Sequence, residues 1–450
     1  MDPTPKHTSR RTLLSMLAMA PLASSALSAC GSSGPSAAGG GSGDAPSKGD
    51  ITWWYLSGQP NQGIQTTSVK RWNKAHPKET IGITFFQNDA YKTKIRTAIG
   101  AGQAPTIIYG WGGGILAGYA KANQVMDLTA WLSSNPDVKN NVLPSSYGPA
   151  TVNGKIYAYP NENASPIIMF YNKDLFAKHN VQPPKTWDDL LTLVDVFNKA
   201  GVAPLSLGGQ SRWTSMMWLE YLFDRVGGPQ VFNDIYAGKP NAWSNPDAMT
   251  ALTMVQDLVK KKGFIKGFES ITADSNADWA VLYTGKAAMM LHGSWSYGGI
   301  KASQPTFVKS SMGWGVFPTV DGGKGDPKDI TGNPGQYTSI YAKATPEQVT
   351  AAKDFFAKGI MDDDVVKAYI DTGQVCIAAN APKYIAASED KDFLSFAYGM
   401  VQKAPSFQQS WDQALSAATA ETLLSNIDQL FSLAITPKQF ASNMNATLGK

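Results

Sequence analysis

Four loops in this chain set carboxamides and indoles side by side. SGQPNQG carries Gln59 and Asn61, GWGGG carries Trp111, GGQSRWTS carries Gln210, Arg212 and Trp213, and HGSWSYGG carries Trp295. Asn161 and Glu162 in YPNENAS, Asn333 and Tyr337 in TGNPGQYTS, and Trp411 in SWDQAL complete the candidate binding set. An indole face stacks on apolar C–H groups, and an amide both donates and accepts hydrogen bonds. That combination suits a ligand with hydroxyls around an apolar ring face, a carbohydrate. The same residues offer little for covalent chemistry. Glycosidic cleavage needs two facing carboxyl groups, and Glu162 has no recognisable partner in the sequence. His292 has no carboxylate or cysteine at ligand spacing and reads as a structural or hydrogen-bonding residue rather than a metal ligand. Cys376, in TGQVCIAAN with no histidine nearby, reads as a small buried apolar residue. No catalytic residue, metal or cofactor is expected.

Composition supports this direction. The chain has 450 residues, 43% hydrophobic and 16% charged, which is ordinary for a soluble globular protein long enough to hold two cores. The net charge of +4 is too small for a nucleic-acid footprint, and part of it lies near the start, where Lys6, Arg10 and Arg11 face Asp2. Thirteen tryptophans are many for such a chain, and most must serve the core.

SRRTLL at Ser9 to Leu14 precedes a small-residue apolar run ending at Cys30, the pattern of a secretory signal of the twin-arginine type over residues 1–29. Ser15, Pro21, Ser24 and Ser25 interrupt the run, which argues against a membrane-spanning helix. LSAC at Leu27 to Cys30 resembles a bacterial lipobox, which implies cleavage before Cys30 and a lipid on its sulfur. Export with anchoring to the outer face of the cytoplasmic membrane follows. Cys376 then has no partner for a disulfide. Residues 30–48 are rich in Gly and Ser, a flexible tether spanning roughly 25 Å.

The body must place the loops. Strands at Ile51 to Leu56, Ile81 to Phe85 and Thr106 to Tyr109 alternate with helices at about Gln65 to Ala75 and around Tyr91 to Ile99, the pattern of an α/β lobe with a mainly parallel sheet. Ligands of such sheets lie beyond the carboxyl ends of the strands. Gly154 to Phe176 then holds two β-type runs, Lys155 to Tyr159 and Ile167 to Tyr171, around the polar stretch Asn161 to Ser165; this reads as a hinge between two lobes. Thr186 with Asp189 and Thr345 with Gln348 form capping boxes, Asp362 and Thr436 start further helices, and Ser244 with Pro246 starts one that ends at Gly263. Ala203 to Leu207 and Ala287 to Leu291 are strands feeding the Trp213 and Trp295 loops.

GKIYAYP, YNKDLF, PPKTWDDL and TGKAAMMLHGSW, in that order, resemble the extracellular solute-binding protein family 1 of bacterial ABC importers, the family of maltose binders. The likeness runs from about Gly49 to Lys450. It implies a two-lobed, periplasmic-binding-protein type II α/β fold, with lobe 1 at 49–162 and 331–376 and lobe 2 at 163–330 and 377–450. It also implies a monomer that encloses a sugar between its lobes and delivers it to separate permease subunits. The sugar-stacking tryptophan of the GSW segment carries over to Trp295, and Trp411 stands about where a C-terminal helix supplies another stacking ring. This chain departs from maltose binders in having Gly58 and Gln59 where they place charges, and Thr106 where the family usually has Asp; its crossover carboxylate, Glu162, is displaced by two positions. Four candidate indoles exceed what one pyranose uses, so an oligosaccharide is expected. GGQSRWTSMMW and GNPGQYTS resemble xylobiose and xylo-oligosaccharide binders, with chitobiose, raffinose-type and maltose-type sugars behind. A binder of another solute, such as a polyamine, and a secreted glycosidase are the competing readings.

Overall fold

The computed structural model describes residues 50–449. The expected signal, lipidated Cys30 and tether lie outside them, and no helix among the described residues is long and apolar enough to cross a membrane. The strands in chain order are β1 (Ile51–Leu56), β2 (Ile81–Phe86), β3 (Ile107–Gly110), β4 (Thr151–Val152), β5 (Lys155–Ile156), β6 (Tyr159–Asn161), β7 (Ser165–Asn172), β8 (Ala203–Ser206), β9 (Ala287–Gly293), β10 (Met312–Gly315), β11 (Ile330–Asn333), β12 (Gln336–Ile340) and β13 (Phe407–Gln409).

Two sheets organise the body. The first has the order β2-β1-β3-β12-β6 and the second β13-β11-β7-β9-β8, with β10 also on β7. In the first, β1 pairs parallel to β2 and β3, while β12 is antiparallel to both β3 and β6. The second sheet is mixed: β8 with β9 and β11 with β13 are parallel, but β7 runs antiparallel to β9, β10 and β11. It is therefore mixed where a mainly parallel sheet is expected, because β7, at its centre, runs against all three of its neighbours.

The chain leaves the first sheet at Asn161 and enters the second at Ser165. It returns between Asn333, the end of β11, and Gln336, the start of β12. Ile330–Asn333 thus pairs within the second sheet, so this passage falls after the boundary expected at residue 331. A third segment crosses alongside, with Ala164 N–H donating to Val375 C=O and Ile377 N–H to Glu162 C=O, both at 2.9 Å.

Local sequence accounts for the helices around the sheets. The capping boxes at Thr186/Asp189, Thr345/Gln348 and Thr436/Gln439 are formed, and Asp362 accepts from Val365 N–H. Pro246 opens its helix, but the cap is Asn245, with Ser244 one residue too early. The first helix, Asn61–Ala75, begins four residues before the expected start. Gln62 N–H donates to Gly58 C=O, so the polar loop already turns as helix.

One buried cluster gathers Trp53, Tyr55, Tyr91 and Phe355 on the first sheet and extends to Tyr297 stacked on Phe393 at 3.8 Å. The other gathers Trp187, Trp218, Trp243 and Trp411 on the second sheet. Trp411, expected to stack on ligand, is fully buried: its ring lies parallel to Phe232 at 4.9 Å and meets Phe223 and Trp243 edge-on. The short helix Trp411–Ala414 turns that ring into the core, a choice SWDQAL alone does not show. Trp411→Ala should lower unfolding stability by about 3–5 kcal/mol, as for other buried aromatics. Urea unfolding checks this; a loss below about 1 kcal/mol would mean that the ring is not a core element.

Candidate functional site

The three parallel strands of the first sheet deliver their carboxyl-end loops to one place. Ser57 to Asn61 follow β1, Gln87 and Asn88 follow β2, and Tyr109 and Trp111 flank the end of β3. Opposite them stand Trp213, Trp279, His292 and Trp295 from the second sheet and its helices, and the crossover residues Glu162, Asn163, Asn333 and Gln336 form the floor. The space in and above the cleft, open solvent included, is about 1020 Å³.

Seven of the sequence-derived candidates meet there: Gln59, Asn61, Trp111, Glu162, Trp213, Trp295 and Asn333. Five do not line it. Asn161 is buried beside it, its Nδ2 donating to Glu162 Oε1 at 3.1 Å, so it holds the carboxyl. Gln210 is exposed to solvent. Arg212 reaches away to Glu421 at 3.1 Å. Tyr337 is buried under the first sheet, where its hydroxyl donates to Ser146 C=O. Trp411 belongs to the core. For Gln210 and Arg212 the reason is local: Gly209–Ser211 forms a single 3-10 turn that points them outward before the helix Trp213–Gly227 begins.

Sequence reading missed Gln87 and Asn88, although the rule applied to β1 and β3 holds equally for β2. Asn163 lies within the stretch taken as the hinge, and Gln336 and Gln374 come from neighbouring crossover segments. Asp274 and Asn276 precede a helix, Ala277–Tyr283, and carried no separate signal.

Close packing fixes the indole wall. A Cβ at Gly293 would lie 1.7 Å from the Trp295 ring, so this glycine lets the ring fold back over the end of β9. Trp295 also meets His292 at 5.1 Å and Trp213 at 6.0 Å between centroids. Across the cleft, Trp111 packs edge-on against Tyr109 at 5.2 Å. The glycines beside it allow two backbones to meet, since a Cβ at Gly114 would fall 2.4 Å from the Ala414 and Leu415 carbonyl oxygens.

The polar groups are incompletely satisfied. Asn61 Nδ2 lies 3.5 Å from Glu162 Oε2, and Asn163 Nδ2 donates to Gln374 Oε1 at 3.3 Å, which fixes both amide orientations. Their Oδ1 atoms, with Asn333 Oδ1 and Asp274 Oδ1, are buried without a partner among the described residues, and so are Trp213 Nε1 and His292 Nδ1. Buried polar atoms are nearly always hydrogen-bonded. Four orphaned acceptors at one cleft call for a ligand that donates protons. None of the described lining residues is Lys or Arg.

Burial pushes the Glu162 carboxyl up to about 8, partly offset by hydrogen bonding from Tyr55 and Asn161. Burial and the nearby Asp89 charge raise Asp274 to about 6, while the Asp89 backbone N–H, donating to it at 3.2 Å, acts in the other direction. Glu162 also has a positive φ of 65°, unusual for a residue with a side chain.

A family model described as bacterial extracellular solute-binding protein matches residues 61–358. The chain belongs to that family. An uncharacterised ABC transporter extracellular-binding protein of Pyrococcus horikoshii is 27% identical over 60% of this chain and 60% of its own length. The sn-glycerol-3-phosphate-binding periplasmic protein of Escherichia coli is 25% identical over 61% of this chain and 62% of its own length. The match thus covers about 60% of these relatives. A solved structure from work on xylan utilisation by the thermophilic bacterium Caldanaerobius polysaccharolyticus is 29% identical, with a TM-score of 0.81, and covers 89% of this chain and 100% of its own. The two-sheet α/β architecture is that of these solute-binding proteins.

The raised Glu162 gives a pH signature. An unfolded chain releases this proton near 4.5, whereas the fold holds it to about 8. Stability from this group is full below 4.5, falls as pH rises to 8 and is level beyond, a loss on the order of 5 kcal/mol at about 1.4 kcal/mol per pH unit. Glu162→Gln should remove that part of the decline. Urea unfolding of both proteins at pH 5 and pH 8 measures it, and an equal decline in the variant would count against the buried acid.

Proposed function

We propose that this solute-binding protein captures an uncharged oligosaccharide, with xylobiose or a short xylo-oligosaccharide as first choice, for an ABC importer. The observation that carries this reading is that Asn61, Asn163, Asn333 and Asp274, each with a buried oxygen lacking a partner among the described residues, line one cleft together with Trp111 and Trp295. Sugar hydroxyls supply the missing protons, and the apolar face of a pyranose suits Trp295 and Trp111. A phosphate or other anion would bring acceptors to a cleft that already holds two carboxyls and is lined by no Lys or Arg, so the glycerol-phosphate ligand named for the Escherichia coli relative fits poorly. Support for xylan-derived sugars comes from the Caldanaerobius structure and from the cleft's room for more than one ring.

In this reading the two sheets are the cores of two lobes, and the passages Asn161 to Ser165 and Asn333 to Gln336 are the hinge. Ligand touching Asn61 and Trp111 on one side and Trp213 and Trp295 on the other has contacts in the closed form that it lacks in the open one. That difference drives closure. The closed monomer, tethered by lipid at Cys30, presents sugar to the permease. Binding rather than hydrolysis is favoured because Glu162 is engaged by Asn61 and Asn161 in the hinge floor.

Calorimetric titration with xylobiose, chitobiose, maltose and glycerol 3-phosphate tests the reading. Xylobiose should bind tightest and glycerol 3-phosphate should give no heat; the reverse order would overturn it. Trp295→Ala should weaken the preferred sugar by tenfold or more, about 1.4 kcal/mol. Unchanged affinity would remove that ring from the site, and release of reducing ends on incubation would replace binding with catalysis.

A further inference from the structure

His292 is 1% exposed, yet it lines the cleft. The Trp213, Trp279 and Trp295 indoles meet it edge-on, at 5.5, 5.8 and 5.1 Å between centroids and 70–86° between planes. On the Nε2 side, Trp279 Nε1 lies 3.4 Å and Asp278 Oδ2 3.2 Å away, and the tautomer decides between them: an unprotonated Nε2 accepts from the indole and leaves Asp278 Oδ2 without a partner among the described residues, whereas a protonated Nε2 donates to that carboxylate. Asp278 is itself immobilised: it is 1% exposed, its Oδ1 accepts from Trp279 N–H at 2.9 Å, and its carbonyl accepts from Ser206 Oγ at 2.6 Å.

Nδ1 is different. It is buried and has no partner among the described residues, and Trp213 Nε1, on the same wall, shares that state. Most buried ring nitrogens are satisfied by protein, although His179 Nε2 and the core indoles Trp218, Trp243 and Trp411 also lack a partner among the described residues; His292 differs from them in lining the cleft. Here one nitrogen has protein groups within reach, and the other, in a residue that lines the cleft, has none. We propose that His292 is a ligand-contacting residue whose Nδ1 hydrogen-bonds one hydroxyl of the sugar ring lying on Trp295, and that Asp278 is its positioning residue. A hydroxyl both donates and accepts, so it matches Nδ1 in either tautomer. Because the ring is wedged among three indoles, this contact is fixed in direction and selects which hydroxyl of the stacked ring is read. The inference rests on the sugar-binding reading above and adds to it the atom that sets hydroxyl selectivity at the Trp295 subsite.

The test uses calorimetry on the wild type and the His292→Gln, Asp278→Asn and double variants. The ligands are the tightest binder among xylobiose, chitobiose and maltose, and its singly deoxygenated analogues. The expected result is a loss of tenfold or more for the parent sugar in His292→Gln, while one deoxygenated analogue binds wild type and variant equally. Asp278→Asn should weaken the parent sugar too but add nothing in the His292→Gln background, because it acts through the imidazole. A uniform loss across all analogues, which disturbed packing would produce, overturns the inference. So does unchanged affinity in His292→Gln. A wild type that binds none of the sugars overturns the functional reading and this inference with it, whereas a wild type that binds while the variant pattern fails overturns this inference alone.

Discussion

Hydrogen-bond satisfaction at the seam between the two sheets governs this protein. Crossover segments bring backbone and polar side chains into the interior, and each buried group must find a partner or cost about 1–3 kcal/mol. The backbone succeeds: Glu162 C=O receives Ile377 N–H and Ala164 N–H reaches Val375 C=O. The side chains succeed only in part. The Nδ2 atoms of Asn61 and Asn161 find Glu162, and that of Asn163 finds Gln374, but the amide oxygens of Asn61, Asn161, Asn163 and Asn333 are buried without a partner among the described residues. A protein that keeps such groups at its centre is built to complete them with something else. In the proposed reading, that deficit favours a donor-rich, uncharged ligand.

The indoles divide by what surrounds them. Trp53, Trp218, Trp243 and Trp411 are fully buried and hold the sheets and helices together through edge and stacking contacts. Trp111, Trp213 and Trp295 are partly exposed and line the cleft. Gly293 shows how backbone and function meet, since only a residue without Cβ lets Trp295, the first residue of the following helix, lie against the end of β9. The helix Gly113–Lys121 approaches Trp411–Ala414 through Gly114 in the same way, so the glycines of GWGGG serve contact between the two halves and not a phosphate.

Much of the architecture was legible because its signals are local. Capping boxes, the strand rhythm up to Tyr109 and the polar break at Asn161 depend on neighbours in sequence. Site residues in carboxyl-end loops, such as Asn61 and Trp111, followed from a rule about strand ends. Trp411 and Tyr337 misled because an aromatic on a short helix or on a strand gives no sign of which side is covered; that depends on Phe232 and Ser146, distant in the chain. Arg212 misled because its partner, Glu421, is more than two hundred residues away. Asn163, Gln374 and Asp274 were missed for the same reason, since only the crossovers and the helix Ala277–Tyr283 bring them to the cleft. In the sequence Glu162 reads as the crossover carboxylate and a ligand contact; only the fold shows the burial that raises its carboxyl to about 8.

The most direct measurement is a crystal structure with the tightest-binding sugar of the titration panel. The expected density places a pyranose on Trp295, with ligand hydroxyls within about 3.2 Å of the amide oxygens of Asn61, Asn163 and Asn333. Sugar bound elsewhere, or bound in the cleft with those three oxygens still unpartnered, would contradict the claim that the polar deficit at the crossover is what selects the ligand.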